Sequence, residues 1–297
     1  MDPEIAALRE QIASRPRAAD IAQRRRDIDE RGRQFGTPAD VTVETVSANG
    51  VPAEWTATPT ADRNSAVLYF HGGGYVIGSL DSHRHAVAEI GRASAARTLA
   101  IDYRMAPEHA FPAAVQDALA AYKFLLQSGI KPGRICIAGD SAGGGLVVAA
   151  MLAIRGENLP QPGCGWCISP WVDLTCNSAS MQDNAARDPT VQKAGVLDFA
   201  GIYLAGADPR APLASPIYGD LRGLPPLLIQ VGSVETLLDD ALTLARVAAL
   251  ADVHVDLQIW PEMIHVWHLY FPQLAAGRRA IAAGGAFVRG YKGEGRS

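Results

Sequence analysis

Short apolar segments recur along this chain, and stretches with helical periodicity separate most of them. Strands are predicted near residues 66–70, 98–103, 135–138, 165–169, 227–232 and 255–260. Helices are predicted near residues 117–128, 143–155, 239–251 and 277–291. Strands that are apolar along their whole length are typical of a parallel sheet that helices cover on both faces. The pattern therefore predicts an α/β fold with a mostly parallel central sheet, preceded by a pair of strands within residues 41–56.

Two segments depart from this alternation. Residues 1–34 are charged and helical, and their run Arg24-Arg25-Arg26 is expected on a solvated helix face. Residues 178–206 have mixed helical character between two predicted strands, and we interpret them as an insertion. The 297 residues suffice for one large α/β domain with such additions.

The composition excludes several functional classes. Lys and Arg number 27 against 31 Asp and Glu, so the net charge is −4 and no basic excess is available to bind nucleic acid. No run reaches the roughly 18 apolar residues that a membrane span requires, and no signal-peptide pattern opens the chain, so we expect a cytoplasmic protein.

Four cysteines are too few for a disulfide scaffold, and Cys164 and Cys167 form a single C-x-x-C without a second pair. Buried thiols are expected there, rather than a zinc or redox site.

A candidate nucleophile lies between a predicted strand and a predicted helix. Residues 139–143 have the sequence GDSAG, which is a G-x-S-x-G motif in that context. The small flanking residues allow a sharp turn that exposes the hydroxyl of Ser141 at the carboxyl edge of the sheet. The following helix N-terminus favours negative charge that develops beside it. Ser141 is therefore predicted to be a catalytic nucleophile.

A second glycine-rich segment follows the strand that ends at residue 70. Residues 71–74 have the sequence HGGG, and successive glycines leave backbone N–H groups open to a substrate oxyanion. The amides of Gly73, Gly74 and Ala142 are predicted to form an oxyanion hole. A phosphate-binding loop is the alternative, but the Lys-Ser/Thr of a Walker motif is missing. We expect His71 to order the loop rather than to act as the base.

The base is expected late in the chain, because G-x-S-x-G hydrolases place their triad in the order Ser, acid, His. Of the seven histidines, His254, His265 and His268 follow an acid candidate. His265 comes just after the strand that ends near residue 260, whereas His254 lies at the opposite end of that strand. His268 is expected to pack nearby. His265 is therefore the predicted general base.

The acid is expected just past the preceding strand, which ends near residue 232. Glu235 lies on the loop, whereas Asp239 and Asp240 fall at the start of the next helix, where an acid is also favoured by the helix dipole. We predict Glu235, 30 residues before His265, as the triad acid, with Asp239 as the alternative.

Four ordered blocks together resemble a known family. They are HGGG at 71–74, DYRMAPEH at 102–109 with FPAA at 111–114, GDSAG at 139–143, and the final acid and histidine. The set is similar to the hormone-sensitive-lipase-like esterases, the bacterial family IV carboxylesterases, over residues 66–288. One departure is that this family most often has D-P-L-x-D where residues 235–239 here are ETLLD. Glu235 aligns with the first Asp of that pattern.

The resemblance implies an α/β-hydrolase fold with a helical cap. Residues 1–40 and 178–206 would form the cap, and residues 41–177 and 207–297 the core. It also implies cofactor-free and metal-free hydrolysis of short- to medium-chain acyl esters, often by a homodimer. The small-molecule ester would be the only partner that the chemistry needs, with no nucleic acid and no membrane span. A lactone or arylformamide hydrolase with the same triad, or a small-ligand receptor without catalysis, are the alternatives.

Overall fold

The computed structural model describes residues 2–15, 18 and 20–291. Residues 1, 16, 17 and 19 of the predicted segment 1–40, and residues 292–297 of the predicted segment 207–297, therefore lie outside the described residues. The strands are β1 (Thr42–Ala48), β2 (Val51–Ala57), β3 (Asp62–Phe70), β4 (Ala96–Ile101), β5 (Ile135–Asp140), β6 (Cys164–Ile168), β7 (Leu227–Gly232) and β8 (Val255–Trp260). The helices are α1 (Pro3–Ala13), α2 (Ile21–Arg33), α3 (Leu80–Ser94), α4 (Ala113–Gln127), α5 (Ala142–Gly156), α6 (Ser180–Asp183), α7 (Lys193–Leu204), α8 (Leu238–Leu250) and α9 (Ala275–Tyr291).

The strands form one eight-stranded sheet in the order β1-β2-β4-β3-β5-β6-β7-β8. The pairs β1–β2 and β2–β4 are antiparallel, and all other neighbours are parallel. The predicted mostly parallel sheet, with a pair of strands at its start, is thus confirmed. All parallel strands end at one edge, which brings the loops after β3, β5, β7 and β8 together.

Helices cover both faces of the sheet, as the apolar strands predict. Alternate residues of β3 face opposite sides. Leu68 belongs to the cluster with α4, α5 and α8, whereas Val67 belongs to the cluster with α3 and α9. The same alternation places Cys164 and Cys167 on opposite faces of β6, so the two thiols cannot share a ligand. Both are buried and free, as predicted.

Some boundaries differ from the prediction. The predicted N-terminal helical region consists of two helices, and α3 was not predicted at all. Helix α3 begins with a capping box in which the Ser79 hydroxyl accepts from the Ser82 amide and the Ser82 hydroxyl accepts from the Ser79 amide. Strand β4 begins and ends two residues before its predicted position. Along the part of the chain that the structure describes, no helix is long and apolar enough to cross a membrane.

Helix α1 packs beside the carboxyl ends of β7 and β8. Its buried Ile5 and Leu8 share a cluster with Val234 and Ile264. These last two residues directly precede Glu235 and His265 in the chain. The N-terminal segment is therefore part of the packing around two of the predicted site residues.

Candidate active site

Ser141 occupies the sharp turn between β5 and α5. Its φ of 55° and ψ of −120° are sparsely populated for a residue with a side chain, which is the strained geometry expected of an exposed nucleophile. A Cβ at Gly143 would collide with the carbonyl oxygen of Phe70, and one at Gly139 would collide with Gly143. The two glycines of the motif are thus required by close backbone contact.

The structure brings Ser141, His265 and Glu235 together. The Ser141 Oγ lies 2.9 Å from His265 Nε2, and His265 Nδ1 lies 2.8 Å from Glu235 Oε2. Glu235 is fully buried and His265 is 7% exposed. With a proton on Nδ1, the imidazole donates to Glu235 and its Nε2 is free to accept from the serine hydroxyl. This is the arrangement of a nucleophile, a base and an orienting acid.

The second carboxylate oxygen of Glu235 is also held. Glu235 Oε1 accepts from the backbone N–H of Gly232 at 2.6 Å and from the hydroxyl of Ser169 at 2.8 Å. The Ser169 hydroxyl in turn accepts from the Val266 amide at 3.1 Å, next to His265. Ser169 was not predicted as a site residue, although it directly follows β6 at the same sheet edge as the other site residues.

Asp239, the alternative acid, has a different partner. Its Oδ2 accepts from the backbone N–H of Ser180 at 2.8 Å, at the start of α6. Asp240 is also engaged elsewhere, because its carboxylate accepts from the amides of Val172 and Asp173 at 3.0 Å each. The geometry thus pairs Glu235, and neither aspartate, with His265.

Residues 178–206 hold the backbone around Glu235. Asn184 donates its side-chain amide to the Glu235 carbonyl at 2.8 Å. The buried Asp188 accepts from the Thr236 amide at 2.9 Å with one oxygen and from the amides of Thr190 and Val191 with the other. Neither Asn184 nor Asp188 was predicted as a site residue, since nothing in their local sequence marks a contact with residues about 50 positions away.

Burial and the partner's charge shift the pKa values of His265 and Glu235 in opposite directions. Burial disfavours the charged imidazole of His265, but the hydrogen bond and the charge of Glu235 outweigh it and raise the pKa of His265 above its ordinary value. Burial raises the pKa of Glu235, while the hydrogen bonds from His265 and from the Gly232 amide oppose that rise. Glu235 thus favours the imidazolium that forms when His265 accepts a proton.

The predicted oxyanion donors lie beside Ser141. The glycine loop, residues 71–77, follows β3, and its Gly73 and Gly74 have φ values of 116° and 64°, which favour glycine. Ala142 is the first residue of α5, so its amide has no partner within the helix. Asp140, next to Ser141, joins the two segments, since its Oδ1 accepts from the Gly72 amide at 3.1 Å and from the Tyr69 hydroxyl at 2.7 Å.

The histidine of the HGGG motif is buried beneath the glycine loop. The His71 Nδ1 lies 2.8 Å from the Gly72 carbonyl, and its ring stacks on Tyr103 with centroids 4.3 Å apart. Burial, with the neighbouring charge of His83, lowers the pKa of His71 to about 4. His71 is therefore neutral at pH 7 and orders the loop, as predicted. His83, which lies 3.4 Å from Asp140 Oδ2, was missed because α3 was not predicted.

The two other late histidines lie away from Ser141. His268 packs in the interior with its Nε2 2.9 Å from Gln230 Oε1, and burial lowers its pKa to about 3. The His254 carbonyl accepts from the Leu227 amide at the opposite end of β7, and its ring lies near Tyr291. Both placements agree with the predictions for these residues.

A cavity of about 370 Å³ opens beside the triad. Its floor contains Gly73, Gly74, Ser141 and His265, and its remaining walls come mainly from residues 12–35 and 189–199. Phe199 of α7 lies against Gly74, where a Cβ would meet its ring. The Arg24 guanidinium stands 5.5 Å from the Phe199 centroid. Among the described residues, no group of three or more His, Cys, Asp or Glu side chains is arranged to hold a metal ion.

The prediction that the arginine run lies on a solvated helix face is wrong for two of its three residues. Arg24 lines the cavity, and Arg25 donates to the backbone carbonyls of Val76 and Ala106. Arg26 alone is exposed, with its guanidinium on the Gln23 side chain. The helix face that carries Arg24 and Arg25 is covered because α2 lies against the glycine-loop side of the domain.

Comparisons with known proteins show the family to which the chain belongs. A family model described as alpha/beta hydrolase fold matches residues 67–269. An acetyl-hydrolase of Streptomyces hygroscopicus is 48% identical over 99% of this chain and 98% of its own length. A crystal structure of an esterase from the bacterial hormone-sensitive lipase family superposes with a TM-score of 0.96 at 46% identity, covering 99% of both chains. The crystal structure of EstE5 soaked with p-nitrophenyl butyrate superposes with a TM-score of 0.95 at 44% identity, covering 98% of this chain and 99% of that one. The chain therefore belongs to the α/β-hydrolase family and, within it, to the hormone-sensitive-lipase-like carboxylic ester hydrolases.

Proposed function

We propose that the chain is a serine carboxylesterase that hydrolyses short- to medium-chain acyl esters through an acyl-enzyme on Ser141. The observation that supports this most strongly is the unbroken hydrogen-bonded line from Ser141 Oγ through His265 to Glu235. That line ends beside two glycine amides and a helix N-terminus, where negative charge is favoured.

The first half of the reaction forms the acyl-enzyme. Ser141 Oγ attacks the ester carbonyl carbon, and its proton passes to His265 Nε2 as the new C–O bond forms. The carbonyl electrons move onto oxygen, where the amides of Gly73, Gly74 and Ala142 donate hydrogen bonds. When the tetrahedral intermediate collapses, the bond to the alcohol oxygen breaks and His265 returns its proton to that oxygen.

The second half repeats these steps with water. His265 takes a proton from a water molecule as it attacks the acyl carbon, and the same three amides hold the new oxyanion. Collapse releases the carboxylic acid and returns a proton to Ser141. Throughout, Glu235 keeps the Nδ1 proton in place and stabilises the imidazolium without being protonated itself.

The size and lining of the cavity support a small acyl ester as substrate. A volume of about 370 Å³ is at the lower end of small-molecule sites, and its walls are largely apolar, with Trp171, Val191, Phe199 and Leu237 among them. One relative is called an acetyl-hydrolase, and a related esterase was soaked with a butyrate ester. Acyl chains of these lengths are the substrates that we propose.

We also propose that residues 1–40 and 178–206 form a cap over the core of residues 41–177 and 207–297. The support is that both segments contribute side chains to the cavity wall, among them Ile12, Ile28, Val191 and Phe199. A homodimer and a cytoplasmic location remain predictions. Light scattering on the purified protein and fractionation of the producing cells test them.

The decisive experiment is a panel of p-nitrophenyl esters of increasing acyl length, measured with the wild type and with Ser141→Ala. We expect turnover to be highest for short and medium chains and to be lost in Ser141→Ala. A fluorophosphonate should add its mass to one peptide, the one that contains Ser141. Tight binding of a small ligand without turnover of any ester would contradict the proposal and favour a receptor. Faster hydrolysis of a lactone or an arylformamide than of any ester would replace the substrate class while keeping the triad.

A further inference from the structure

The glycine loop has an unusual backbone that its own sequence does not fully explain. Gly73, Gly74 and Tyr75 have successive positive φ values, the last of 62°. Tyr75 is not a glycine, and a residue with a side chain adopts this conformation only when its surroundings fix it. The loop must therefore be anchored from outside.

Three anchors come from the core. The Gly72 amide donates to Asp140 Oδ1, and the Tyr103 hydroxyl donates to the His71 carbonyl at 2.8 Å. The Ala106 amide donates to the Tyr75 carbonyl at 2.9 Å. These contacts hold the loop from residue 71 to residue 75. They do not reach the carbonyl of Val76, near its far end.

The fourth anchor is Arg25, and it comes from helix α2. The Arg25 Nε donates to the Val76 carbonyl at 2.8 Å, and its Nη2 donates to the Ala106 carbonyl at 2.9 Å. The other guanidinium hydrogens reach the Glu108 carboxylate, with both oxygens at 2.8 Å. One planar guanidinium thus joins the end of the glycine loop to the segment that holds Tyr75.

A displacement of Val76 would be transmitted to a predicted oxyanion donor. The amides of Val76 and Ile77 both donate to the Gly73 carbonyl, at 3.1 and 3.0 Å. Gly73 therefore belongs to a tight turn that also contains Val76, the residue whose carbonyl accepts from Arg25. Gly73 itself lines the cavity together with Ser141.

Helix α2 has other contacts that keep it in place without Arg25. Asp29 accepts from the Ser79 hydroxyl at 2.5 Å, and Arg33 pairs with Asp81. Gly32 lies so close to the backbone of Ser82 that a Cβ would collide with it. Truncation of Arg25 should therefore release the loop anchor while leaving α2 docked on α3.

We propose that Arg25 is a positioning residue for ester hydrolysis, which holds the Val76 carbonyl and thereby sets the position of the Gly73 amide. The inference rests on the proposed role of the glycine loop as an oxyanion hole. It gives the N-terminal segment a part in stabilising the transition state, in addition to its part in the cavity wall.

The test compares Arg25→Ala with Arg26→Ala, the same truncation one residue along the same helix. Among the residues that the structure describes, the Arg26 side chain bonds only that of Gln23, so it is the matched control. We expect Arg25→Ala to lower kcat on p-nitrophenyl butyrate by about 10- to 100-fold, since displacements near 1 Å cost rates of this order. KM should change by less than about threefold, because ground-state binding does not use the oxyanion donors. Arg26→Ala should stay within about twofold of the wild type.

A boronic acid inhibitor separates positioning from loss of structure. The serine oxygen bonds to the boron of n-butylboronic acid, and the tetrahedral boronate that forms places one of its hydroxyl oxygens where the oxyanion forms. Its affinity should fall in Arg25→Ala by about the same factor as kcat, as expected for a transition-state mimic. If Arg25→Ala matches Arg26→Ala in kcat and in boronic acid affinity, the proposal is overturned. A change in KM alone would overturn it as well.

Two further variants keep the proposal testable if Arg25→Ala does not fold. Arg25→Lys retains the charge with a less suitable donor geometry, and we expect a kcat between those of the wild type and Arg25→Ala. Glu108→Gln removes the exposed ion-pair partner but leaves both carbonyl bonds, so kcat should stay within about twofold. A larger loss in Glu108→Gln than in Arg25→Lys would overturn the loop anchor in favour of the ion pair. If Ser141→Ala keeps its activity, the proposed function itself fails, whatever Arg25 does.

Discussion

The triad and the outer wall of the cavity are built in different ways. Glu235 and His265 are buried at the edge of the parallel sheet, and both Glu235 oxygens have hydrogen-bond donors. The outer wall consists of α2 and α7, whose cavity-lining side chains, such as Arg24 and Phe199, are half-buried. Under the proposed function, the fixed geometry near Ser141 would serve the chemistry, whereas the wall would contact the part of the ester that differs between substrates.

Arg25 is the exception that joins the two regions. Its side chain is 26% exposed, yet it bonds backbone atoms beside the predicted oxyanion donors. Substitutions in the triad should therefore reduce turnover, those in the wall should change selectivity, and Arg25 should behave more like the triad than its place on α2 suggests.

The largest effect is expected for Ser141→Ala. Loss of the nucleophile should lower kcat by roughly 10⁴-fold or more, since the remaining groups cannot form the acyl-enzyme. The unfolding temperature should stay near that of the wild type, because alanine keeps the backbone of the turn. Turnover of p-nitrophenyl acetate and a thermal melt check both statements. Residual activity above a few per cent would locate the nucleophile elsewhere.

Glu235→Gln should have the next largest effect. The amide can present its NH₂ to His265 and favour the wrong tautomer, so we expect kcat to fall by roughly 10²- to 10⁴-fold. Asp239→Asn is the control, with turnover within about threefold of the wild type, since Asp239 accepts from the Ser180 amide rather than contacting His265. Steady-state kinetics on one ester suffice. The reverse ranking would move the acid from Glu235 to Asp239.

The pH dependence should reveal the charge of Glu235. Only neutral His265 accepts the serine proton, so activity rises as the pH increases through the pKa of His265. Since Glu235 raises that pKa, the acid limb of kcat/KM should have its midpoint above 6.5. In Glu235→Gln burial dominates, and the midpoint should move to lower pH. The profile is measured between about pH 5 and 9, the range in which histidine titrates. An unchanged midpoint in the variant would contradict the assignment.

Phe199→Ala should change selectivity more than rate. Removal of the ring that lies on Gly74 enlarges the cavity. Each additional CH₂ that becomes buried contributes about 0.8 kcal/mol, which corresponds to about fourfold in kcat/KM. The ratio of hexanoate to acetate hydrolysis should therefore rise several-fold. Leu197→Ala, at an exposed position of the same helix, should leave that ratio unchanged. Equal shifts in both variants would remove Phe199 as a selectivity residue.

Arg33→Ala should have the smallest effect. The Arg33 side chain is 57% exposed, and its partner Asp81 also pairs with Arg84. Exposed ion pairs contribute little, so activity and unfolding temperature should remain within measurement error of the wild type. A clear loss of activity would show that the position of α2 depends on its surface contacts more than on Arg25 and Gly32.

The sheet, and the meeting of Ser141, Glu235 and His265 at its edge, could be predicted from the sequence because their signals are local. Strands β7 and β8 have their predicted bounds, since β7 is a short, buried and mainly apolar run between turns and β8 begins with alternating apolar and polar residues. Ser141, Glu235 and His265 are each predicted from a reactive residue type just past a strand end. Helix α3 escaped prediction because its sequence is polar and rich in histidine, and it is stabilised by a capping box and by burial against α9 and β4.

Contacts between distant segments could not be predicted in this way. Ser169 lies 66 residues from Glu235, Asp188 lies 48 from Thr236, and Arg25 lies 51 from Val76. Serine, aspartate and arginine at such positions are usually solvated, so residue type alone carries no signal. Residue type did not distinguish Arg25 from Arg26 either, although one holds a loop and the other faces solvent.

The sequence by itself determined the fold class, the sharp turn at Ser141 and the glycine loop. Backbone sterics at the glycines and the apolar strands dictate these features within a few neighbouring residues. Only the tertiary structure decided that Glu235 rather than Asp239 contacts His265, that residues 178–206 hold the acid, and that α2 anchors the glycine loop. The reason is that a hydrogen bond depends on where two segments meet in space, and that meeting is set by packing of the whole sheet and its helices.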